Sequence, residues 1–255
     1  MGDSLRSVLA GRTGLVTGGA AGIGRSVAGA LRDVGASVII ADIDVDQGRE
    51  TARRIGAEFV EADASTESGV RAMFSRIEDR GGILDVLVNN AGGAPTPHFP
   101  EAPFEHWSRS LDLNLRGPMF ASQLAISLMV KRGGGAIINI SSIAGLGWGA
   151  HSSPEYAAAK AGLVRFTSSL VPLMDKFGIR VHCVCPDWVD TPSSRRNRSG
   201  MSPAELAALP AILDPAEVAH AVVALAGDLD STGKIVVLRG SLPPRDLPAT
   251  DWRSL

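Results

Sequence analysis

Seven short runs of apolar, mostly β-branched residues recur along the chain, separated by longer segments of mixed polarity. Between the first two runs, apolar residues repeat at the spacing of one helix face until Gly35, which is a helix-stop signal. These repeating residues are Ile23, Val27, Leu31 and Val34. The pattern therefore predicts strands that alternate with helices. The predicted strands are 14–18, 36–42, 57–63, 84–92, 135–142, 179–186 and 234–240.

Most of these runs are apolar at nearly every position rather than at alternate positions. Strands of this kind are buried on both faces, as in a parallel sheet that helices cover on both sides. The chain has 255 residues, of which 45% are hydrophobic, and this is enough for one large core. We therefore predict a single α/β domain, residues 1–255, built on a doubly wound parallel sheet of about seven strands.

Two segments are less regular. The segment 191–215 contains short helical pieces between the sixth predicted strand and a helix at 216–226. The Pro-containing tail 241–255 follows the last predicted strand. Because long loops in compact domains often serve as lids or contact surfaces, we predict that 191–215 is a substrate lid.

Charge and hydropathy exclude several classes of function. A net charge of −2 provides no basic field for nucleic acid, and no apolar stretch reaches the length of a membrane span. The N-terminus lacks the apolar region of a secretory signal, so we expect a cytoplasmic protein. Cys183 and Cys185 lie two apart in one predicted strand, which favours reduced, buried packing residues. Neither His98 nor His151 has metal-ligand spacing, so we predict no metal site.

Three glycines, Gly18, Gly22 and Gly24, are spaced GxxxGxG between the first predicted strand and the helix that follows. At such a turn, backbone N–H groups and the helix N-terminus approach a phosphate, and the helix dipole favours its negative charge. Tight turns also use glycines for structural reasons alone. Because a strand–turn–helix unit surrounds this motif, we predict that the turn, including Ile23, binds a pyrophosphate.

Asp42 ends the second predicted strand, 18 residues after Gly24. A carboxylate at this position accepts hydrogen bonds from both hydroxyls of an adenosine ribose and repels a 2′-phosphate. The next residues, Ile43 and Asp44, provide no positive charge for such a phosphate. The sequence therefore predicts NAD rather than NADP as the cofactor. A solvated residue at a strand end is the alternative interpretation of Asp42.

Tyr156 and Lys160 are four residues apart in a helical segment, which places both side chains on one helix face. A neighbouring ammonium stabilises a phenolate, so we expect the pKa of Tyr156 to lie below its ordinary value of about 10. Tyr156 would then exchange a proton with a substrate hydroxyl while a hydride leaves the same carbon. A surface tyrosine with an ordinary lysine neighbour is the structural alternative.

Ser142 lies at the end of the fifth predicted strand, and open α/β sheets bind ligands beyond the carboxyl ends of their strands. Its hydroxyl would hold the substrate oxygen beside Tyr156. Ser141 is the alternative, because adjacent strand residues face opposite ways and the sequence leaves the phase open.

These motifs stand in the order typical of the short-chain dehydrogenase/reductase (SDR) family in its classical form, which the chain resembles over essentially its whole length. The matching residues are Thr17, Gly18, Gly22, Gly24, Asn89, Asn90, Ala91, Gly92, Asn114, Ser142, Tyr156 and Lys160. The resemblance implies a Rossmann fold and an NAD-dependent oxidoreductase that acts on a small-molecule secondary alcohol or ketone. It also favours Ser142 over Ser141.

The resemblance implies roles for further residues. Asn114 would support a water in a proton relay or satisfy helix backbone groups at a kink, and Lys160 would also bind the nicotinamide ribose. Asp63 would lie near the adenine, although it equally fits a loop carboxylate. The other implied cofactor contacts are Ile43, Ala64, Asn90, Ala91, Gly92, Pro186, Val189 and Thr191. A homodimer or homotetramer is expected, through the helices that carry Asn114 and Tyr156.

Asp187 departs from the family pattern, which has glycine after the residue matching Pro186. Aspartate adds bulk and charge where glycine allows close backbone approach. Our hypothesis is that Asp187 alters the nicotinamide pocket, either by favouring the positively charged oxidised ring or by weakening binding. A harmless substitution at a turn is the alternative.

The substrate is the least constrained part of the prediction. Residues expected to border the pocket by family position are Gly93, Ala94, Trp148, His151 and Trp188. The two tryptophans favour an apolar or ring-shaped substrate, unless they pack under loops. The lid cations, Arg195, Arg196 and Arg198, either meet an acidic group or form solvated surface. Two other functions fit, a 3-oxoacyl-thioester reductase, which usually uses NADP, and a non-enzymatic NAD-binding regulatory protein.

Overall fold

A computed structural model describes residues 2–147 and 151–247 of the chain. One sheet of eight strands forms its centre. The strands are β1 (Thr13–Thr17), β2 (Ser37–Asp42), β3 (Glu58–Glu61), β4 (Val86–Asn89), β5 (Gly135–Ile140), β6 (Ile179–Pro186), β7 (Ile235–Leu238) and β8 (Arg245–Leu247). The seven predicted strands are confirmed, and most end inside their predicted ranges.

The strands follow the order β3-β2-β1-β4-β5-β6-β7-β8, and neighbours from β3 to β7 are parallel. The order changes direction between β1 and β4, which makes a crevice at their carboxyl ends. β8 pairs antiparallel with β7 and was not predicted. The tail reads as irregular because two adjacent prolines precede the charged residues Arg245 and Asp246, with no apolar run.

Helices connect the strands on both sides of the sheet. Within the described residues they are α1 (Gly2–Leu9), α2 (Gly22–Asp33), α3 (Val45–Ile55), α4 (Glu67–Glu78), α5 (Phe104–Leu111), α6 (Gly117–Arg132), α7 (Pro154–Ser169), α8 (Leu173–Phe177), α9 (Pro192–Ser199), α10 (Pro203–Ala207) and α11 (Pro215–Gly227). A π-helical turn, Asp112–Arg116, joins α5 to α6. No described helix has both the length and the apolar character to cross a membrane.

Alternate strand residues enter two apolar layers, one on each face of the sheet. Ile40 belongs to a buried cluster with Leu31 of α2 and Val222 of α11. Its neighbour Ile39 belongs to a second cluster with Met73 of α4. This packing confirms that helices cover both faces. It also fixes the strand register, so that the carboxyl ends of β1, β4, β5 and β6 meet at one edge.

Cys183 and Cys185 are buried on one face of β6 and form no disulfide. Their Sγ atoms lie 3.8 Å apart, and both side chains pack in a small cluster with Ile235 and Leu247. The prediction that they are buried packing residues is therefore confirmed.

Candidate functional site

The glycine turn between β1 and α2 is shaped by close contacts within the protein. Gly18 has a left-handed backbone, with φ +65°, and a Cβ atom there would lie 2.9 Å from Cα of Ala91. A Cβ atom on Gly24 would overlap the carbonyl oxygen of Gly18. One on Gly22 would lie 3.0 Å from Cγ2 of Thr191. The turn, the end of β4 and the start of α9 therefore meet at the crevice, where backbone N–H groups suit a phosphate.

Thr17 and Asn90 tie the ends of β1 and β4 together. The Thr17 hydroxyl oxygen accepts hydrogen bonds from the backbone N–H groups of Asn90 and Ala91, both at 3.0 Å. Asn90 Nδ2 donates to the carbonyl oxygens of Thr17 at 2.9 Å and Gly18 at 3.0 Å. The structure thus brings the predicted residues Asn90 and Ala91 against the glycine turn.

Asp42 lies at the carboxyl end of β2, beside the same turn. One carboxylate oxygen accepts from the Ala20 N–H group at 2.9 Å, and the other accepts from the Asp44 N–H group at 3.1 Å. The residue is half-buried, while the neighbouring Ile43 is exposed. Each oxygen has a further lone pair for a ribose hydroxyl, so this geometry fits an adenosine held at the turn.

Asp63, which follows β3, is anchored within its loop. Ser65 donates to one carboxylate oxygen from its N–H group at 2.9 Å and from its hydroxyl at 2.6 Å, and Arg109 donates to the other oxygen at 3.0 Å. Burial acts to raise the pKa of Asp63, but these donors outweigh it and hold the pKa below its usual range. The loop role that the sequence left open is present, and Ala64 beside it is buried.

Tyr156, Lys160 and Ser142 meet at the carboxyl end of β5. Lys160 Nζ donates to the Ile140 carbonyl oxygen at 2.8 Å and lies 5.6 Å from the centroid of the Tyr156 ring. The side chain of Ser142 interacts with Tyr156 and acts to lower its pKa. The helical spacing of four residues thus brings the tyrosine and the lysine together as predicted, beside a hydroxyl from the strand end.

Ser141 and Ser142 have different partners. Ser141 is buried, and its Oγ donates to the Lys160 carbonyl oxygen at 2.8 Å. Ser142 Oγ accepts from the Ala144 N–H group at 3.1 Å and reaches Tyr156. Ser142 is therefore the serine in the site, while Ser141 fastens β5 to the backbone of α7.

The two ionisable groups of the site have shifted pKa values. Burial raises the pKa of Tyr156 above its ordinary value, although the interaction with Ser142 acts in the opposite direction. The prediction of a lowered Tyr156 pKa is therefore wrong for this structure, because burial outweighs the stabilisation of a phenolate. Burial also lowers the pKa of Lys160 to about 8. At neutral pH the site thus contains a neutral phenol beside a lysine that is mostly protonated.

Asn114 is buried in the π-helical turn. Its Nδ2 donates to the carbonyl oxygens of Gly93 at 2.8 Å and Ser110 at 2.9 Å, and its Oδ1 accepts from the Gly93 N–H group at 3.1 Å. A Cβ atom on Gly92 would lie 2.8 Å from Asn114 Oδ1 and 3.1 Å from Lys160 Nζ. Asn114 therefore satisfies backbone groups at the π-helical turn. Through Gly93 it also holds residues 90–92, the β4 loop, beside Lys160.

The segment after β6 continues from Pro186 to α9. Val189 pairs with Leu213 in an isolated bridge, and the Thr191 hydroxyl caps α9 by accepting from the Ser194 N–H group at 3.1 Å. Because Thr191 also lies against Gly22, the predicted residues Pro186, Val189 and Thr191 follow the edge of the same crevice.

Asp187 has an ionic partner that the sequence spacing does not reveal. Its side chain is 2% exposed, accepts from the Trp188 N–H group at 2.9 Å and lies 3.3 Å from Nε of Arg239. Arg239 is 52 residues away along the chain. The charge at this departure from the family pattern is therefore balanced within the protein.

The remaining pocket residues are placed in part. The rings of His151 and Tyr156 are 6.0 Å apart between centroids, whereas Trp148 lies outside the described residues. Glu155, which the sequence analysis missed, is buried directly before Tyr156 and accepts hydrogen bonds from a segment near residue 98. Acidic residues are common in the first turn of helices, so the sequence does not show that Glu155 has this role.

The predicted lid cations are partly paired. Arg195 and Arg198 both contact the carboxylate of Asp190, at 2.6 and 2.7 Å, whereas Arg196 is exposed. Two of the three arginines therefore organise the start of the segment 191–215 around one carboxylate.

Comparison with known proteins gives a consistent result. Residues 12–202 match the family model described as short chain dehydrogenase. The 3-oxoacyl-(acyl-carrier-protein) reductase FabG of Chlamydia muridarum is 32% identical over 93% of this chain and 100% of its own length. The cis-4-hydroxycyclohexanecarboxylate dehydrogenase of Sinomonas cyclohexanicum is 36% identical over 90% of this chain and 95% of its own. A crystal structure of a short-chain type dehydrogenase/reductase from Mycobacterium marinum has a TM-score of 0.84 and 27% identity, covering 95% of this chain and 100% of that one.

Proposed function

Since this chain belongs to the short chain dehydrogenase family, we propose that it is an NAD-dependent oxidoreductase that transfers a hydride between nicotinamide and a secondary alcohol or ketone. Chemistry on CH–OH groups and the use of NAD or NADP follow from the family. The choice of NAD, the substrate class and the residue roles belong to the proposal. The observation that carries it is the meeting of Tyr156, Ser142 and Lys160 at the crevice.

In this proposal, Ser142 and Tyr156 bind the substrate oxygen with their hydroxyl groups. During ketone reduction, Tyr156 donates its proton to that oxygen, and during oxidation the phenolate takes the proton back. The raised pKa keeps Tyr156 protonated at neutral pH, and protonated Lys160 stabilises the phenolate that forms. Bound NAD supplies the hydride acceptor, and its reduced form supplies the donor. Asn114 keeps the β4 loop beside Lys160 and would support a water in a proton relay.

The crevice fits a dinucleotide because the glycine turn excludes side chains beside the N-terminus of α2. Asp42 supports NAD over NADP, since a 2′-phosphate would meet its negative charge. The residues proposed to bind the cofactor are Gly18, Gly22, Ile23, Gly24, Asp42, Ile43, Asp63, Ala64, Asn90, Ala91, Gly92, Tyr156, Lys160, Pro186, Val189 and Thr191.

A cyclic secondary alcohol, or its ketone, is the proposed substrate. The Sinomonas relative is named for a substrate that carries a hydroxyl on a six-membered ring. The His151 ring near Tyr156 supports a flat or ring-shaped ligand. A 3-oxoacyl thioester is the second candidate, because the chlamydial relative is named for that reduction. Asp42 disfavours it, since that reaction usually uses NADP.

The chain is also proposed to form a homodimer or homotetramer through the helices that carry Asn114 and Tyr156. Phe104 of α5 is 66% exposed and Met119 of α6 is 42% exposed, so this surface presents apolar side chains to a partner copy. On α7, the small exposed residue Ala161 permits close helix approach. Light scattering of the purified protein measures the assembly directly.

The proposed function is tested by formation of NADH from NAD across cyclic alcohols, hydroxysteroids, sugar alcohols and 3-hydroxyacyl thioesters, with NADP in parallel. We expect turnover of a cyclic alcohol with NAD, which is lost in Tyr156→Phe. Binding of NAD without turnover of any alcohol would instead support a regulatory protein. Preference for NADP and a thioester would support the second candidate.

A further inference from the structure

Glu155 is a buried carboxylate in the first turn of α7, directly before Tyr156. Its side chain is 5% exposed, and an ionised carboxylate removed from water needs hydrogen-bond donors in exchange. Three donors are present, namely Ser153 Oγ at 2.8 Å, His98 Nδ1 at 3.0 Å and the Phe99 N–H group at 3.3 Å. Burial acts to raise the pKa of Glu155, but these hydrogen bonds outweigh it and hold the pKa below its usual range.

Two of these donors belong to residues 93–101, the wall segment, which follows the β4 loop. At its beginning, Gly93 is held by Asn114, next to the point where Gly92 lies against Lys160 Nζ. In its middle, the segment is bound to Glu155. The wall segment therefore runs from the neighbourhood of Lys160 to Glu155, the residue before Tyr156, along one side of the crevice.

The wall segment has little support from burial. Most of its residues are exposed, including Phe99 at 55%. A further contact, between His106 Nε2 and the Pro95 carbonyl oxygen at 3.2 Å, is on the exposed surface. Segments with few buried apolar contacts open at low free-energy cost. The charge-assisted hydrogen bonds to Glu155, which are stronger than neutral ones, therefore dominate the position of this segment.

We propose that Glu155 is a positioning residue that clamps the wall segment to α7 and so sets the width of the substrate pocket beside Tyr156. This inference rests on the proposed function, because the pocket whose width Glu155 sets is the substrate pocket of that reaction. Glu155 takes no part in proton transfer, because successive helix residues point about 100° apart and its own carboxylate is bound to the wall segment. Its loss therefore acts on substrate affinity rather than on the chemical step.

The kinetic test uses Glu155→Gln, which replaces an accepting oxygen with an amide nitrogen and leaves one donor unpaired. We expect KM for a cyclic secondary alcohol to rise about tenfold, with kcat and the dissociation constant of NAD changing less than about twofold. Glu217→Gln is the matched control, because Glu217 also accepts from a backbone N–H group in the first turn of a helix, α11, but is exposed and lies outside the segment 191–215. A fall in kcat at unchanged KM would overturn the proposal.

A second pair of variants separates the hydrogen bond from the bulk of the side chain. His98→Asn keeps an N–H donor near the position of Nδ1, whereas His98→Ala removes it. We expect a KM close to that of the wild type in His98→Asn and a raised KM in His98→Ala. Equal increases in both variants would overturn the hydrogen-bonded clamp.

Amide hydrogen exchange tests the clamp without any turnover. We expect faster exchange at 93–101 in Glu155→Gln and unchanged exchange in the rest of α7. Unchanged exchange at 93–101 overturns the clamp, whether or not an alcohol is oxidised. Faster exchange with a wild-type KM overturns its role in substrate binding. Failure of the wild type to oxidise any alcohol refutes the proposed function, and the exchange result still decides whether the clamp exists.

Discussion

The proton affinity of Tyr156 is directly measurable, because it is the one tyrosine in the chain. Burial raises its pKa, so ultraviolet titration of the cofactor-free protein should show phenolate formation at a midpoint above about 10. Tyr156→Phe provides the baseline, and circular dichroism defines the pH range in which the protein is folded. A midpoint below 10 would mean that Lys160, rather than burial, dominates.

The adjacent serines should separate catalysis from stability. Ser142→Ala removes the hydroxyl beside Tyr156, so kcat/KM should fall about 10²-fold, while the lost bond from the Ala144 N–H group should cost no more unfolding free energy than Ser141→Ala does. Ser141→Ala removes the bond to the Lys160 carbonyl oxygen and should cost about 1 kcal/mol of unfolding free energy, with a much smaller effect on rate. Steady-state kinetics and urea unfolding of both variants make the comparison, and reversed effects would contradict the assignment.

At the residue scale, the sequence reveals the types of residue in the site better than their environment. The spacing of Tyr156 and Lys160 predicts their proximity, but not the burial that raises the pKa of the phenol. The pairing of Asp187 with Arg239 joins the residues that follow β6 and β7, so spacing along the chain does not indicate it. The contact between Glu155 and His98 is hidden for the same reason, since the two are 57 residues apart.

At the scale of elements, continuous apolar runs made most of the seven strands predictable because these are buried in a parallel sheet, whereas the edge strand β3 is only partly buried. β8 lacks that signal, since it is a three-residue edge strand with an exposed Arg245 and Asp246. The glycine turn was predictable as a motif. Its contacts with Ala91 and Thr191, however, depend on how β4 and α9 are placed by the whole sheet.

The carboxyl end of β2 should determine the choice of cofactor. Asp42→Asn keeps the shape of the side chain but removes the charge that would repel a 2′-phosphate, so the ratio of kcat/KM with NAD to kcat/KM with NADP should fall at least about tenfold. Asp44→Asn, two residues on at the N-cap of α3, is the matched control and should leave the ratio unchanged. A constant ratio in Asp42→Asn would contradict the role given to this carboxylate.

At the scale of the whole molecule, stability should decrease below neutral pH. His182 is buried in β6, and burial, with Arg180 nearby, lowers its pKa from an ordinary 6.5 to about 4. Between these values the unfolded chain binds more protons than the folded one. The contribution of neutral His182 to the free energy of unfolding is therefore complete above pH 6.5. It decreases as pH falls toward 4, by roughly 3 kcal/mol in total.

Urea unfolding at a series of pH values checks this prediction. His182→Leu should flatten the decrease between pH 6.5 and 4, whereas His220→Gln, an exposed histidine on α11, should leave it as in the wild type. An identical pH dependence in the wild type and His182→Leu would show that other groups control acid stability.

The central claim of the proposed function is that this protein moves a hydride between a secondary carbinol carbon and nicotinamide with Tyr156 as the proton carrier. The most direct measurement follows deuterium from a cyclic alcohol labelled at the carbinol carbon, with NAD, in the wild type and Tyr156→Phe. We expect the label in the reduced nicotinamide, formed at least about 10³-fold more slowly in the variant. Reduced nicotinamide without the label, or equal rates in the two proteins, would contradict the account.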